Sequence, residues 1–177
     1  NNVVKEATEK YNSYKISEAK KIIEQFFWND FTSNYLEIIK DRLYNPSIRG
    51  KQAYSSAQYT MYHALSTLLK LLAPIMPHIT EEIYQSYFAE IERFKSIHLV
   101  DFPVFFKSLS DKKAEELGDS IMDMIGKVRQ FKTSNKKSMK EPVVLTLDTK
   151  KYKLALDDIK AAVNAREIIN GSFKVEF

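Results

Sequence analysis

Leu68-Leu69-Lys70-Leu71-Leu72-Ala73-Pro74-Ile75-Met76-Pro77-His78-Ile79-Thr80-Glu81-Glu82-Ile83-Tyr84 is the stretch whose reading decides the fold. Leu65, Leu68, Leu69 and Leu72 recur at three- and four-residue spacing, which places them on one helical face. Pro74 disfavours helical geometry at Ala73, so a helix should stop there. Pro77 stiffens the turn. Thr80 is placed as an N-cap, with its hydroxyl accepting from a free backbone N–H. Glu81 and Glu82 then fall in the first turn, where the helix dipole favours acids. Ile79 and Tyr84 are set to close a hydrophobic staple. The stretch predicts a stiff joint between two packed helices.

Helical patterns extend on both sides. Residues 3–12 read as a short polar helix or connector. Ile16 to Tyr44 follows a period near 3.6 through Ile16, Ala19, Ile23, Phe31, Tyr35, Ile38 and Leu43. Asn29-Asp30 and Thr32-Ser33-Asn34 are weak helix formers and predict a kink or break. The run Phe26-Phe27-Trp28-Asn29-Asp30-Phe31 supplies the main apolar anchor, with Trp28 and Phe31 assigned to the core. Asn45-Pro46-Ser47-Ile48-Arg49-Gly50-Lys51 is a turn with a basic rim. Helices follow over Gln52–Leu72, Thr80–Phe94 and Asp111–Thr133, and Ser96 to Pro103 is an extended strap. Beyond residue 140 the period changes. Val143 to Asp148 is β-branched and strand-like. A short helix over Leu154–Ala165 starts at Asp157 or Asp158. Ile168-Ile169 and Phe173–Phe177 read as a hairpin joined at Asn170-Gly171. The expected fold is mostly α: a helical bundle over residues 1–140 with a small α+β appendage over 141–177.

The bulk numbers bound the function. The 177 residues, 44% hydrophobic and 28% charged, suffice for a real core. There is no cysteine, hence no disulfide and no thiolate chemistry. No apolar run approaches the ~20 residues of a membrane helix. No signal peptide is visible, and a chain beginning at Asn1 reads as a piece of a longer one. The net charge of +4 and pI near 9.0 permit a nucleic-acid partner without requiring one. His63, His78 and His98 lack the spacing of a zinc ligand set. No nucleophile elbow surrounds a serine, and no glycine-rich phosphate loop occurs. Residues 127–140 contain Lys127, Arg129, Lys132, Lys136, Lys137 and Lys140 with no acid among them, interleaved by Phe131. A solvated helix face is the plain reading of such a run. Phosphate contact is the functional one.

The opening stretch resembles a segment of the helical anticodon-binding domain in the valyl, isoleucyl and leucyl group of class I aminoacyl-tRNA synthetases. Phe-Phe-Trp-Asn-Asp-Phe-Thr-Ser-Asn-Tyr-Leu-Glu-Ile-Ile-Lys-Asp-Arg-Leu-Tyr, residues 26–44, is similar to the valyl version of that domain. Ser96-Ile97-His98-Leu99 resembles the stretch that follows the bundle turn. Val128-Arg129-Gln130-Phe131-Lys132 resembles the archaeal-type valyl enzymes. The resemblance covers most of residues 16–140 and implies a domain that binds the tRNA anticodon stem-loop in a cytoplasmic enzyme. The whole enzyme would join valine to its tRNA using ATP and Mg2+. The synthetase signature motifs are absent here, so no catalytic residue is expected, and the implied partners are tRNA and the catalytic body of the same chain. The isoleucyl counterpart and a helical protein-interaction scaffold are the alternatives.

On this reading two surfaces are candidates. Lys40, Arg42, Tyr44, Arg49 and Lys51, at a helix end and turn, offer cations and a ring to loop bases. Lys127, Arg129, Lys132, Lys136 and Lys137 are expected to guide the RNA backbone.

Overall fold

A computed structural model describes every residue from Asn1 to Phe177. Its contacts divide into two compact units, residues 1–33 with 55–110, and residues 34–54 with 111–177. The second unit therefore joins the 34–54 segment and the helix after residue 110 to the C-terminal sheet, a different division from one falling at residue 140.

In the first unit, helices α1 (Asn2–Asn12) and α2 (Ile16–Gln25) pack together, burying Val4, Ala7, Ala19 and Ile23. The expected break after α2 takes the form of a π-helical stretch, Phe26–Tyr35, before α3 (Leu36–Tyr44). Widening the turn shifts the phase of the apolar face. Phe31 stays buried. Trp28, expected in the core, is 61% exposed and packs edge-on against Phe27 at 4.9 Å. The Trp28 carbonyl accepts from the hydroxyls of Thr32 and Ser33, at 3.0 and 2.6 Å.

Helix α4 (Pro46–Arg49) is one turn, ended by Gly50 at φ +83°, and α5 (Lys51–Leu72) follows. Helix α6 (Pro77–Tyr87) has its cap at Met76, four residues before the Thr80 cap that the sequence predicts. Proline lacks the N–H that a first turn leaves unpaired, so Pro77 opens the helix. Thr80 is then interior and buried, its hydroxyl donating back to the Met76 carbonyl at 2.9 Å. Ile79 is exposed and the staple does not form. Glu81, displaced from the first turn, instead ties down the strap. It accepts from the Ser96 hydroxyl at 2.8 Å and the Ile97 N–H at 3.0 Å. A break at Phe88 separates α6 from α7 (Ala89–Glu92). Leu69, Ala73, Tyr84, Phe88 and Ile97 form the local core. Beside it the Glu92 carboxylate takes hydrogen bonds from Ser66 (2.7 Å), Lys70 (3.0 Å) and Tyr84 (3.2 Å).

The second unit is organised on α8 (Lys112–Ser134), capped by Asp111, which accepts from the Lys113 N–H at 3.0 Å. Strand β1 (Val143–Leu147), helix α9 (Leu156–Val163) and strand β2 (Ala165–Asn170) make a parallel crossover, and β3 (Lys174–Glu176) pairs antiparallel. The strand order is β2-β1-β3, so the expected hairpin does not exist. Val143, Leu145 and Leu147 are fully buried, and the most apolar strand takes the centre with both edges paired. Asn170-Gly171 carries the chain across the end of β1, with Gly171 N–H bonded to the Leu147 carbonyl at 3.0 Å. Ile121, Ile125 and Val128 of α8 pack under the sheet with Ile159 and Val163, and Ile38 of α3 closes the cluster. At ~1.5–3 kcal/mol per buried aliphatic side chain, this core supplies most of the unit's drive to fold.

No helix of the structure is long and apolar enough to cross a membrane.

Candidate nucleic-acid interface

All ten candidate cations and rings fall in the second unit, and α9 packs against both α3 and α8. The 40–51 corner is built by a short chain of charges. Asp158, expected as a possible helix start, lies in the first turn of α9 at 3% exposure. It takes a two-pronged bond from Arg42, Nε to Oδ1 at 2.8 Å and Nη2 to Oδ2. Arg49 Nη2 reaches the same carboxylate at 2.6 Å, and its Nη1 meets Asp41 at 2.9 Å. Asn45 adds a bond to Asp41 at 2.6 Å. Burial alone would raise the Asp41 carboxyl, but the bonds from Arg49 and Asn45 outweigh it and hold it below the usual range. Arg42 and Arg49, predicted to face RNA, therefore fasten α3 and α4 to α9. A guanidinium beside a buried carboxylate gains more from that planar pairing than from water.

What the clamp leaves outside is different. Tyr44 is 77% exposed at the end of α3, and Ile48 stands out from α4. Lys51 is exposed at the start of α5. Lys40 is exposed and pairs with Glu37 one turn back. A ring, an apolar side chain and two lysines on a braced corner can stack on an unpaired base and meet the adjoining phosphates.

The 127–140 stretch also divides. Lys132 is 1% exposed, and its ammonium donates to the carbonyls of Met139 (2.9 Å) and Val163 (2.6 Å). Burial pushes its pKa down. It pins the segment after α8 to the end of α9 and is not available to phosphate. Phe131 stacks on Phe177 at 4.9 Å rather than standing free. Lys127 pairs with Asp123 at 2.7 Å, and both side chains are exposed. Lys137 lies 3.9 Å from Glu141 and 5.5 Å above the Phe177 ring. Lys136 is exposed in a left-handed turn at φ +54°, and Arg129 is half-buried. Exposed pairs such as Lys127 with Asp123 are worth under ~1 kcal/mol and yield readily to a phosphate.

Sequence reading missed Asp158 and Asp41 as the groups that set the corner. Arg42 and Asp158 are 116 positions apart, and nothing local marks the pairing. No group of three or more histidine, aspartate or glutamate side chains is placed to hold a metal ion.

A helical chain with an α/β unit carrying exposed cations and a stacking ring has the makings of an RNA-docking module. A family described as the anticodon-binding domain of tRNA ligase matches residues 1–147, and the chain belongs to that family. It is 36% identical over 172 residues to a valine–tRNA ligase of Ehrlichia ruminantium (strain Gardel), covering 94% of this chain and 21% of that protein. Against the valine–tRNA ligase of Rickettsia rickettsii (strain Sheila Smith) the identity is 36% over 169 residues, covering 94% and 20%. The valine–tRNA ligase of Wolbachia pipientis wMel matches at 34% over 173 residues, covering 94% and 19%. The chain thus spans about a fifth of the length of these relatives.

Proposed function

We propose that the chain is the anticodon stem-loop binding module of a valine–tRNA ligase. The observation that carries this reading is its alignment, over 94% of its length, with proteins of that name. In the parent protein valine would be joined to tRNA(Val) using ATP with Mg2+, in the cytoplasm. On this reading that chemistry lies in other parts of the parent protein.

This chain's own residues bind and position. The clamp of Arg42, Arg49, Asp41 and Asp158 presents the α3–α4 corner as a rigid edge. Tyr44 stacks on a splayed loop base, and Lys40 and Lys51 take the flanking phosphates. Lys127, Arg129, Lys136 and Lys137 follow the backbone of the stem. Binding should weaken steeply with salt, since each phosphate met by a cation releases counterions.

The test is fluorescence anisotropy with labelled tRNA(Val), against the same tRNA carrying the isoleucine anticodon, at several salt concentrations. Tyr44→Ala should weaken tRNA(Val) binding by about tenfold, the scale of one stacked base. Lys51→Gln should lower the salt slope by about one. Equal affinity for the two anticodons, unchanged by Tyr44→Ala, would overturn the reading.

A further inference from the structure

A cavity of about 750 Å³ opens within the second unit, where the C-terminal end of β1 meets α8. Parallel strands end there, and side chains from the following loops converge on the crevice. Lys127, Lys150, Lys151, Ser120, Tyr152 and Phe173 line it. The loop after β1 is held in place by Asp148, whose Oδ1 accepts from the N–H groups of Lys150 (3.0 Å) and Lys151 (3.1 Å). Its other wall is fixed by Asn170, whose side-chain oxygen accepts from Thr149 N–H at 3.1 Å and Thr149 hydroxyl at 2.9 Å. The shape is therefore built before any ligand arrives.

Its charges are arranged for an anion. Asp123, on the wall, is engaged by Lys127 at 2.7 Å, and Asp148 faces backbone N–H groups. Lys151 is held by neutral partners only: its ammonium donates to Ser120 at 3.0 Å and sits 4.9 Å from the Tyr152 ring centre. Ser120 and the Tyr152 phenol are themselves 2.6 Å apart, so a buried ring and a hydroxyl orient that lysine without cancelling its charge. Lys150 is exposed beside it. Phe173, about half exposed, adds an aromatic ring to the same lining.

From this geometry we infer that the cavity is a nucleotide site, with Lys150 and Lys151 on a phosphate and Phe173 against the base. A cavity of this size holds a single nucleotide with room for water. A base on an aromatic face and a phosphate on lysines is the pairing by which single-stranded nucleic acid is held without reading its sequence. The RNA source rests on the tRNA reading above: the ligand is an unstacked nucleotide of tRNA. A free mononucleotide shares the same chemistry, and the experiment separates the two.

The intact chain, labelled with 15N, is titrated with cytidine 5′-monophosphate, with inorganic phosphate, and with tRNA(Val). The nucleotide should move the amide signals of Lys150, Lys151, Gly171 and Phe173, and phosphate only those of the lysines. Adding tRNA(Val) should move the same set and displace the nucleotide. Lys150→Gln and Phe173→Ala, both at exposed positions, should each keep the circular dichroism spectrum and weaken tRNA binding about tenfold. Lys150→Gln should also lower the salt slope by about one. If tRNA binds the two variants as it binds the parent, with the cavity amides unmoved, the cavity proposal fails and the tRNA reading stands. If the nucleotide moves these amides but tRNA never binds, the tRNA reading fails and the RNA source with it. If neither nucleotide nor tRNA moves them, no nucleotide site exists there.

Discussion

Asp158→Asn tests whether the 40–51 corner is braced by charge. In the native chain one carboxylate, 3% exposed, accepts two hydrogen bonds from Arg42 and one from Arg49. A charge-assisted bond of this kind is worth ~1.5–3 kcal/mol, and stranding a buried charge by removing its partner costs ~3–5 kcal/mol. Two features reduce the figure. The Arg42 side chain is 25% exposed and recovers some hydration, and Arg49 keeps Asp41 at 2.9 Å. Asparagine also retains one acceptor oxygen. The net loss should be ~2–4 kcal/mol, which for a chain of this size lowers the melting midpoint by roughly 5–15 °C. Thermal unfolding followed by circular dichroism reads it. Because much of the loss comes from stranded guanidinium groups, adding Arg42→Met and Arg49→Met to Asp158→Asn should restore part of it. A single variant melting within about 2 °C of the parent, or a triple variant far less stable than the single, would refute the bracing account.

Lys132→Met should lower stability by ~1–3 kcal/mol, because the Met139 and Val163 carbonyls lose their donor inside the protein. The same variant should leave tRNA affinity and its salt slope unchanged in anisotropy, unlike Lys51→Gln. Acid stability should depend on Glu92. Burial would raise its carboxyl, but the bonds from Lys70 and Ser66 outweigh that and lower it. A depressed carboxyl contributes stability above its ordinary 4.5 that disappears as pH falls through the folded value, so Glu92→Gln should show a shallower acid transition by circular dichroism. Tyr84 behaves in the opposite sense. Burial, and then the Glu92 charge, push its phenol up to about 12, so its contribution should vanish between pH 10 and 12, and Tyr84→Phe should flatten the alkaline transition. Two glycine substitutions should differ in sign. Gly126→Ala, in α8 with open space around the new methyl, should stabilise by ~0.5–1 kcal/mol, whereas Gly50→Ala, at φ +83°, should destabilise by about 1 kcal/mol in urea titrations.

Much of the helical frame is legible in the sequence because it is written in local spacing. The leucines of α5, the apolar spacing of α8 and the weak helix formers before Tyr35 each act within a few residues. In each misreading a local signal was outcompeted, once by distant strand pairing and twice by a stronger feature close by. Asn170-Gly171 is a hairpin signal, yet β1, buried through Val143, Leu145 and Leu147, draws the two flanking strands to opposite edges. Thr80 has the chemistry of a cap, but Pro77 three residues earlier is a better opening. Trp28 sits on the apolar face only if the helix keeps its 3.6 period, and the π-helical stretch changes that period at this point.

The same competition explains why the candidate site was only partly legible. Arginine and lysine look alike in a basic run, but their places in this fold divide by chemistry. Both arginines of the 40–51 corner turn inward, where a rigid planar donor set can satisfy a buried carboxylate from two sides. The lysines there stay outside, as flexible point charges suited to phosphates whose positions vary. Lys132 is the exception that marks the rule's basis, since its three-donor ammonium fits a pocket of carbonyls, while Glu141 acts on it without forming an ion pair. A basic count along the sequence therefore overstates the charge offered to RNA. The separation predicts that replacing Arg49 by lysine is a stability mutation: Lys has one ammonium where two acids, Asp41 and Asp158, now each receive their own nitrogen. Arg49→Lys should lose ~1–2 kcal/mol while keeping the net charge, and a chemical denaturation curve superimposable on the parent's would show that the planar double contact contributes nothing.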